Sequence, residues 1–352
     1  MNTKELNKEL FEVEKFNRIV RGTEEIVTTA ELKELIQNRE SFNFYYGTAP
    51  TGPFHIGYLI PLGKIVDLVN SNGKGTILIA DYHAYLDDRK TPWEELGIRS
   101  EYYKKCIEVS LGDYSEKIKF VYGSEFQSRK EYIEDVFKLT SIITFKRAIR
   151  AASEVVRITE EPKISSALYP IMQTVDVKHL GAEVVVGGVD QRHIYMLSRE
   201  VLPEIDWVKP ICIFTPLITS LKGPGTKMSA SIPGTHIKIH EKFEHLEKLV
   251  MDAYCPPKVT EKNPIIEITK YIIFPFFDSF EIEREARHGG DILYKDFDSL
   301  KSDYVSGKLH PYDLKKGVLK YLEKITSRVR QYFENKPELM ENIKKTYNWS
   351  EF

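Results

Sequence analysis

Two rhythms of apolar positions alternate along the chain as far as residue 231. Short, nearly continuous apolar runs cover 42–47, 76–81, 117–121, 183–188 and 211–218. Runs of this length, rich in β-branched and aromatic residues, predict strands buried on both faces. Apolar positions at helical spacing separate them and predict helices over 2–38, 56–69, 93–111, 130–156, 165–180 and 191–201. Thr29, ahead of Ala30, Glu31 and Leu32, is the expected N-cap within the first of these. Gly73, Lys74 and Gly75 are expected to end the helix that begins at Ile56. Strands alternating with helices predict a parallel sheet covered on both faces, with ligands at the carboxyl ends of its strands. After Ser231 the alternation fades, and charged helical segments follow at 242–254, 264–276 and 312–335. The expected class is therefore α/β, a doubly wound parallel sheet followed by a mainly α-helical part. The expected division is a helical segment over 1–40, a sheet domain over 41–232 and a helical domain over 233–352, with a boundary near Ile232-Pro233-Gly234.

Composition narrows the partners. The 352 residues are 42% hydrophobic, enough for a full core, and 29% charged, yet the net charge is only −2. Without a basic excess, any nucleic-acid contact has to be a local patch. Cys106, Cys212 and Cys255 are scattered with no CxxC spacing. They argue against a zinc site or a disulfide framework and fit a reducing, cytoplasmic setting. Residues 1–16 mix Lys and Glu without an apolar run, unlike a signal or transit peptide. No stretch approaches the roughly 20 apolar residues of a membrane span.

The candidate chemistry lies in separated stretches. Aromatic residues run up to Tyr46, and Gly47-Thr48-Ala49-Pro50-Thr51-Gly52-Pro53 then breaks the pattern before helical spacing resumes at Ile56. A strand, a tight turn and a helix in that order aim backbone N–H groups and a positive dipole end at a ligand, usually a phosphate. His55 offers a ring N–H to a phosphate oxygen, and Gly57 lets a flat ring approach the backbone. Far along the chain, Gly223-Pro224-Gly225-Thr226-Lys227-Met228-Ser229-Ala230-Ser231 is a glycine-rich loop carrying one lysine and several hydroxyls. A cation closing over a leaving pyrophosphate stabilises the transition state more than the ground state. Tyr169, Gln173 and Asp176, at i, i+4 and i+7, fall on one narrow helix face, which suits either a pocket wall or a solvated stripe.

HIG at 55–57 and KMS at 227–229, joined by this α/β pattern, resemble the HIGH and KMSKS signatures of class I aminoacyl-tRNA synthetases. Four further stretches are similar to the eukaryotic and archaeal tyrosyl-tRNA synthetases: 45–52 (YYGTAPTG), 78–86 (LIADYHAYL), 168–173 (LYPIMQ) and 187–192 (GGVDQR). The likeness continues through Leu309-His310-Pro311 and Asp313-Leu314-Lys315 and covers nearly the whole chain. It implies a Rossmann-like catalytic domain with inserted dimer-interface helices, placed around 130–156, and an α-helical anticodon-binding domain. It also implies a homodimer that activates L-tyrosine with ATP to tyrosyl-adenylate and passes tyrosine to the 3′ end of tRNA(Tyr). ATP would come as its Mg²⁺ complex, with no permanently bound cofactor and no protein metal site.

Residue by residue, the resemblance puts Tyr45 and Asp176 on the phenolic hydroxyl of tyrosine, with Gly47 in the same pocket. Tyr169, Gln173 and Gln191 would hold its amino group. Thr51 and His55 would lie on the ATP phosphates, Gly57 under the adenine, and Gly188 and Asp190 at the ribose. Lys227, Met228, Ser229 and Ser231 would close over the pyrophosphate, so that catalysis rests on His55, Lys227 and Thr51. Arg192, Lys146 and Arg147 would face the acceptor end of tRNA, and His288, His310, Pro311, Asp313 and Lys315 its anticodon. Three positions depart from the pattern: Tyr58 stands where HIGH has its second histidine, Ala230 where KMSKS has its second lysine, and His288 where relatives carry Phe or Trp. The sister tryptophanyl enzymes are the nearest alternative, but an indole gives no reason for the Tyr45 and Asp176 pair. A non-catalytic RNA-binding relative would not need His55, Lys227 and Asp190 together.

Overall fold

A computed structural model describes residues 3–156, 159–229, 232 and 234–347, with the side chains of 3–9 and of His288 left aside. The chain forms two units, each assembled from separate stretches. The first comprises residues 1–51, 64–105 and 111–216, and the second 52–63, 106–110 and 217–352.

The first unit is built on a six-stranded sheet in the order β1-β6-β5-β2-β3-β4. Its strands are β1 (Glu25–Val27), β2 (Phe42–Thr48), β3 (Gly73–Ile79), β4 (Ile118–Tyr122), β5 (Val184–Gly188) and β6 (Ile211–Thr215). All neighbours are parallel except β1, which runs antiparallel to β6. The winding reverses between β2 and β5, the place where doubly wound sheets bind ligands beyond the strand ends. Val184, Val185 and Val186 of β5 are fully buried, as the continuous apolar run required.

Four local expectations give way to the observed elements. Gly73, Lys74 and Gly75 open β3 and do not end the preceding helix, which stops at Val69. The Phe44 ring lies so close that a Cβ on Gly73 or Gly75 would sit 2.9 or 2.5 Å from it, so only glycine fits. The helix expected over 2–38 is interrupted by β1, and its second part, Thr29–Asn38, is capped by Thr28 and not Thr29. Thr28 accepts from the Glu31 N–H at 3.1 Å while the Glu31 carboxylate accepts the Thr28 N–H at 3.0 Å, a reciprocal capping box. The helix expected over 130–156 is two helices, Lys130–Ile142 and Phe145–Ala152, the second capped by Thr144.

The second unit carries helices Phe243–Asp252, Pro264–Ile268, Phe297–Ser306, Pro311–Glu334 and Pro337–Tyr347. A hairpin of β7 (Phe280–Ile282) and β8 (Ile292–Tyr294) joins them, which apolar periodicity did not reveal. Helix 264–276 is interrupted by a π-helical stretch, Thr269–Ile273, just ahead of Pro275, which lacks the N–H of a regular turn. Phe280 and Ile282 approach Gly317 of the long helix so closely that a Cβ there would meet them at 2.8 and 3.0 Å.

Candidate active site

In the first unit, helix Ile164–His179 presents Tyr169, Gln173 and Asp176 from one buried face. This face is not a solvated stripe: Asp176 is 1% exposed. Two donors converge on its Oδ1, Tyr132 Oη at 2.8 Å and Gln127 Nε2 at 2.8 Å. His83 Nε2 lies 3.8 Å from Oδ2. Burial lowers the His83 imidazole to about 4, so at neutral pH this contact is between a dipole and a carboxyl, not an ion pair. Burial raises the Asp176 carboxyl to about 7, against the pull of the Gln127 and Tyr132 hydrogen bonds. Both of these hydrogen bonds fall on Oδ1, and neither on Oδ2.

Tyr45, from β2, is 1% exposed, and its hydroxyl accepts from Tyr195 Oη at 3.0 Å. It keeps its own proton to donate, since burial and the neighbouring Tyr195 raise its ionisation well above the ordinary phenol range. Gln173 Nε2 donates to Gln191 Oε1 at 3.0 Å. The Tyr169 ring meets His83 edge to face at 4.7 Å. Glycines make room: a Cβ on Gly47 would lie 3.2 Å from the Tyr45 ring, and one on Gly187 3.1 Å from Tyr195 and 3.2 Å from Gln191. A Cβ on Gly123 would lie 2.5 Å from Gln127, so the residue after β4 also admits this cluster. Gln127, Tyr132 and Tyr195 join this candidate cluster through hydrogen bonds to Asp176 and Tyr45, and sequence reasoning missed them. Tyr195 lies one turn past Gln191 and Gln127 follows a strand end, which were usable signals; nothing local marked Tyr132.

The second unit holds a separate polar group. His55 caps the short 3₁₀ turn Ile56–Tyr58, and its Nδ1 accepts the Gly57 N–H at 3.1 Å. That bond fixes the neutral tautomer with the proton on Nε2. Burial, helped by His236 and Lys227, lowers the imidazole to about 3, so His55 is an uncharged donor at physiological pH. Gly57 answers to the His55 ring itself, which a Cβ would meet at 2.8 Å. Met228 Sδ lies beside the same position at 3.9 Å, and the His236 ring stands edge-on to His55 at 5.9 Å. The remaining candidates belong to the first unit: there Thr51 turns back on its own strand end, its N–H donating to Ala49 O at 2.9 Å. Gly188 begins the 3₁₀ turn Val189–Gln191 that contains Asp190. Ala230 and Ser231 lie outside the described residues, as does the side chain of His288.

Several residues expected to meet RNA have work within the fold. Arg192 donates to both carboxylate oxygens of Glu25, at 2.6 and 3.0 Å, and Arg147 pairs with Glu200 at 2.7 Å. His310 caps helix Pro311–Glu334 by accepting the Tyr312 N–H at 3.2 Å, with Pro311 in the first turn. Lys315 donates to Met251 O at 2.6 Å. The Asp313 side chain, partly exposed in the first turn, has no hydrogen bond or ion pair among the described residues.

The family model for class I tRNA synthetases of the W and Y type matches residues 37–327. A tyrosine–tRNA ligase of Archaeoglobus fulgidus is 42% identical over 318 residues, which cover 90% of this chain and 97% of that protein. The chain belongs to the tyrosine–tRNA ligase family. A second relative of that name, from Natronomonas pharaonis, is 40% identical over 335 residues, 93% of this chain and 96% of its own. A solved structure of the Archaeoglobus fulgidus tyrosyl-tRNA synthetase, complexed with L-tyrosine, superimposes with a TM-score of 0.87 at 40% identity, covering 91% of this chain and 99% of that one. The Rossmann-like class of the fold follows from the same likeness.

Proposed function

We propose that this chain activates L-tyrosine with ATP and transfers it to tRNA(Tyr), with the phenol recognised by Tyr45 and Asp176. The observation that carries the assignment is the buried Asp176, whose Oδ1 is held by Tyr132 and Gln127. A ligand hydroxyl there can donate to Oδ2 of Asp176 and accept from Tyr45. Phenylalanine would leave both protein groups unmet, and a site built to bond a hydroxyl rejects the analogue without one. Tyrosyl-tRNA synthetases are the standing illustration of that rule. Gln173, Gln191 and Tyr169 take the substrate ammonium and Gly47 gives the ring its space. ATP–pyrophosphate exchange tests this reading. Tyrosine supports exchange and phenylalanine and tryptophan do not; exchange driven by tryptophan overturns it.

For the nucleotide, Thr51 and the Nε2–H of His55 take phosphate oxygens, Gly57 lies under the adenine, and Gly188 and Asp190 take the ribose. Lys227, with Met228, Ser229 and Ser231, acts on the pyrophosphate. ATP enters with Mg²⁺, which neutralises phosphate charge and keeps mostly water and phosphate ligands. The tyrosine carboxylate attacks the α-phosphorus, pyrophosphate leaves, and the ribose hydroxyl of tRNA then displaces AMP from the adenylate. No protein nucleophile takes part; positioning and charge stabilisation do the work.

Residues 233–352 are assigned to anticodon binding, through His288, His310, Pro311, Asp313 and Lys315, and Arg192, Lys146 and Arg147 to the acceptor end. The chain is placed in the cytoplasm as a homodimer. Among the described residues no helix is long and apolar enough to cross a membrane. Phe137, Ile142, Phe145 and Ile164 are exposed by 65, 43, 51 and 81% on the two helices after β4 and the start of the pocket helix. These exposed apolar side chains, close together in sequence, support the dimer assignment.

A further inference from the structure

Within the second unit, the histidine segment and the lysine loop share one backbone frame. Residues 54–56 and 237–239 run antiparallel: the Ile56 N–H donates to Ile237 O at 2.9 Å, the Ile239 N–H to Phe54 O at 2.9 Å, and His55 bridges Lys238. The leading side of the loop is fixed as well. The Met228 N–H donates to Ile218 O at 2.8 Å, the Ser220 N–H to Thr226 O at 2.9 Å, and Thr219 bridges Lys227. Thr235 ties the trailing side to this frame. It is 1% exposed, and its Oγ1 lies 2.9 Å from Ser229 O and 2.7 Å from Ile232 O. Its own carbonyl accepts the Leu221 N–H at 3.2 Å, where the loop begins. One buried residue thus bonds both flanks of the loop and adjoins the strip that pairs with His55.

We propose that Thr235 is a positioning residue for tyrosine activation: its hydroxyl closes the loop and fixes the approach of Lys227 to the phosphates. The proposal rests on the reading of Lys227 as the transition-state cation. Valine has the same shape without the proton, so Thr235→Val removes the donor that Ser229 O and Ile232 O share. Serine keeps that donor, and cysteine keeps a weaker one.

The test is single-turnover tyrosyl-adenylate formation at saturating ATP and tyrosine, beside tyrosine affinity by fluorescence titration. Thr235→Val is expected to slow adenylate formation about three- to tenfold, the worth of one net hydrogen bond, with tyrosine affinity unchanged. Thr235→Ser is expected within about twofold of the parent, and Thr235→Cys between the two. Tyrosine affinity reports the fold; should the valine variant not fold, the serine and cysteine rates carry the comparison. Full speed in Thr235→Val, or equal slowing in all the variants, overturns the clasp. Lys227→Ala, measured in parallel, separates the two ideas. If it runs at the parent rate, the reading of Lys227 falls and the proposal with it. If it is slow while Thr235→Val is fast, only the clasp falls.

Discussion

Asp176 combines deep burial with a proposed task, accepting the phenol of tyrosine, that charge serves best. Its carboxyl is raised from 3.8 to about 7 by desolvation, while the phenol of a bound tyrosine is best accepted by the carboxylate. The accepting form is present above about 7 and is lost as pH falls through it, so tyrosine affinity should drop by up to about tenfold per pH unit on the acid side. Titrations from pH 5.5 to 8.5 check this, and Asp176→Asn should flatten the profile. Asp176→Ala should weaken tyrosine binding about 10- to 150-fold, as loss of a charge-assisted hydrogen bond implies, with ATP binding little changed. A variant that still prefers tyrosine to phenylalanine as strongly as the parent would remove Asp176 from recognition. Lys227→Ala should slow adenylate formation about a hundredfold and spare tyrosine affinity, the pattern of a group used in the transition state. His55, lowered to about 3, should contribute no inflection to the rate profile above pH 5.

At the scale of elements, the helix Pro311–Glu334 separates a fold role from an RNA role. Its start is capped by His310, so Asp313 is not needed to form it. Asp313→Ala should lower stability by less than about 1 kcal/mol, its share of the helix-dipole interaction. Charging of tRNA should fall about tenfold or more, if a base donor bonds the carboxylate, with adenylate formation intact. Equal loss of both reactions would mark Asp313 as structural. Elements whose information is local were legible in the sequence: the apolar runs of β2, β3, β5 and β6, and the polar face of the pocket helix. What stayed hidden depends on distant partners. β1 is too short to show a period and exists through pairing with Phe214, Ile213 and Cys212. Gly73 and Gly75 read as helix punctuation because the Phe44 ring that requires them sits on another strand. The candidate residues Tyr45, Gln173 and Asp176 could be named from their motifs. Tyr132 could not, because it reaches Asp176 from a helix with no motif of its own.

At the scale of the molecule, the exposed Phe137, Ile142, Phe145 and Ile164 give the dimer assignment a direct test. Phe137→Glu should shift sedimentation toward the monomer at micromolar concentration; an unchanged dimer would move the interface elsewhere. Because the net charge is −2, tRNA affinity should depend on salt through a few local contacts, giving a shallow slope of log affinity against log salt. The division of the chain has a further consequence, for the order in which the protein acquires structure. Residues 52–63 belong with 217–352, although they leave the ribosome ahead of most of the sheet unit. The strands of the sheet are all synthesised by Thr215, but the partners of Phe54 and Ile56 arrive only with Ile237 and Ile239. That closure spans a long stretch of chain and carries a correspondingly large entropic barrier. In pulse-labelled refolding, the amides of β2 and β3 should therefore gain protection before that of Ile56. A nascent chain halted short of residue 237 should carry a formed sheet beside a histidine segment that still lacks its frame.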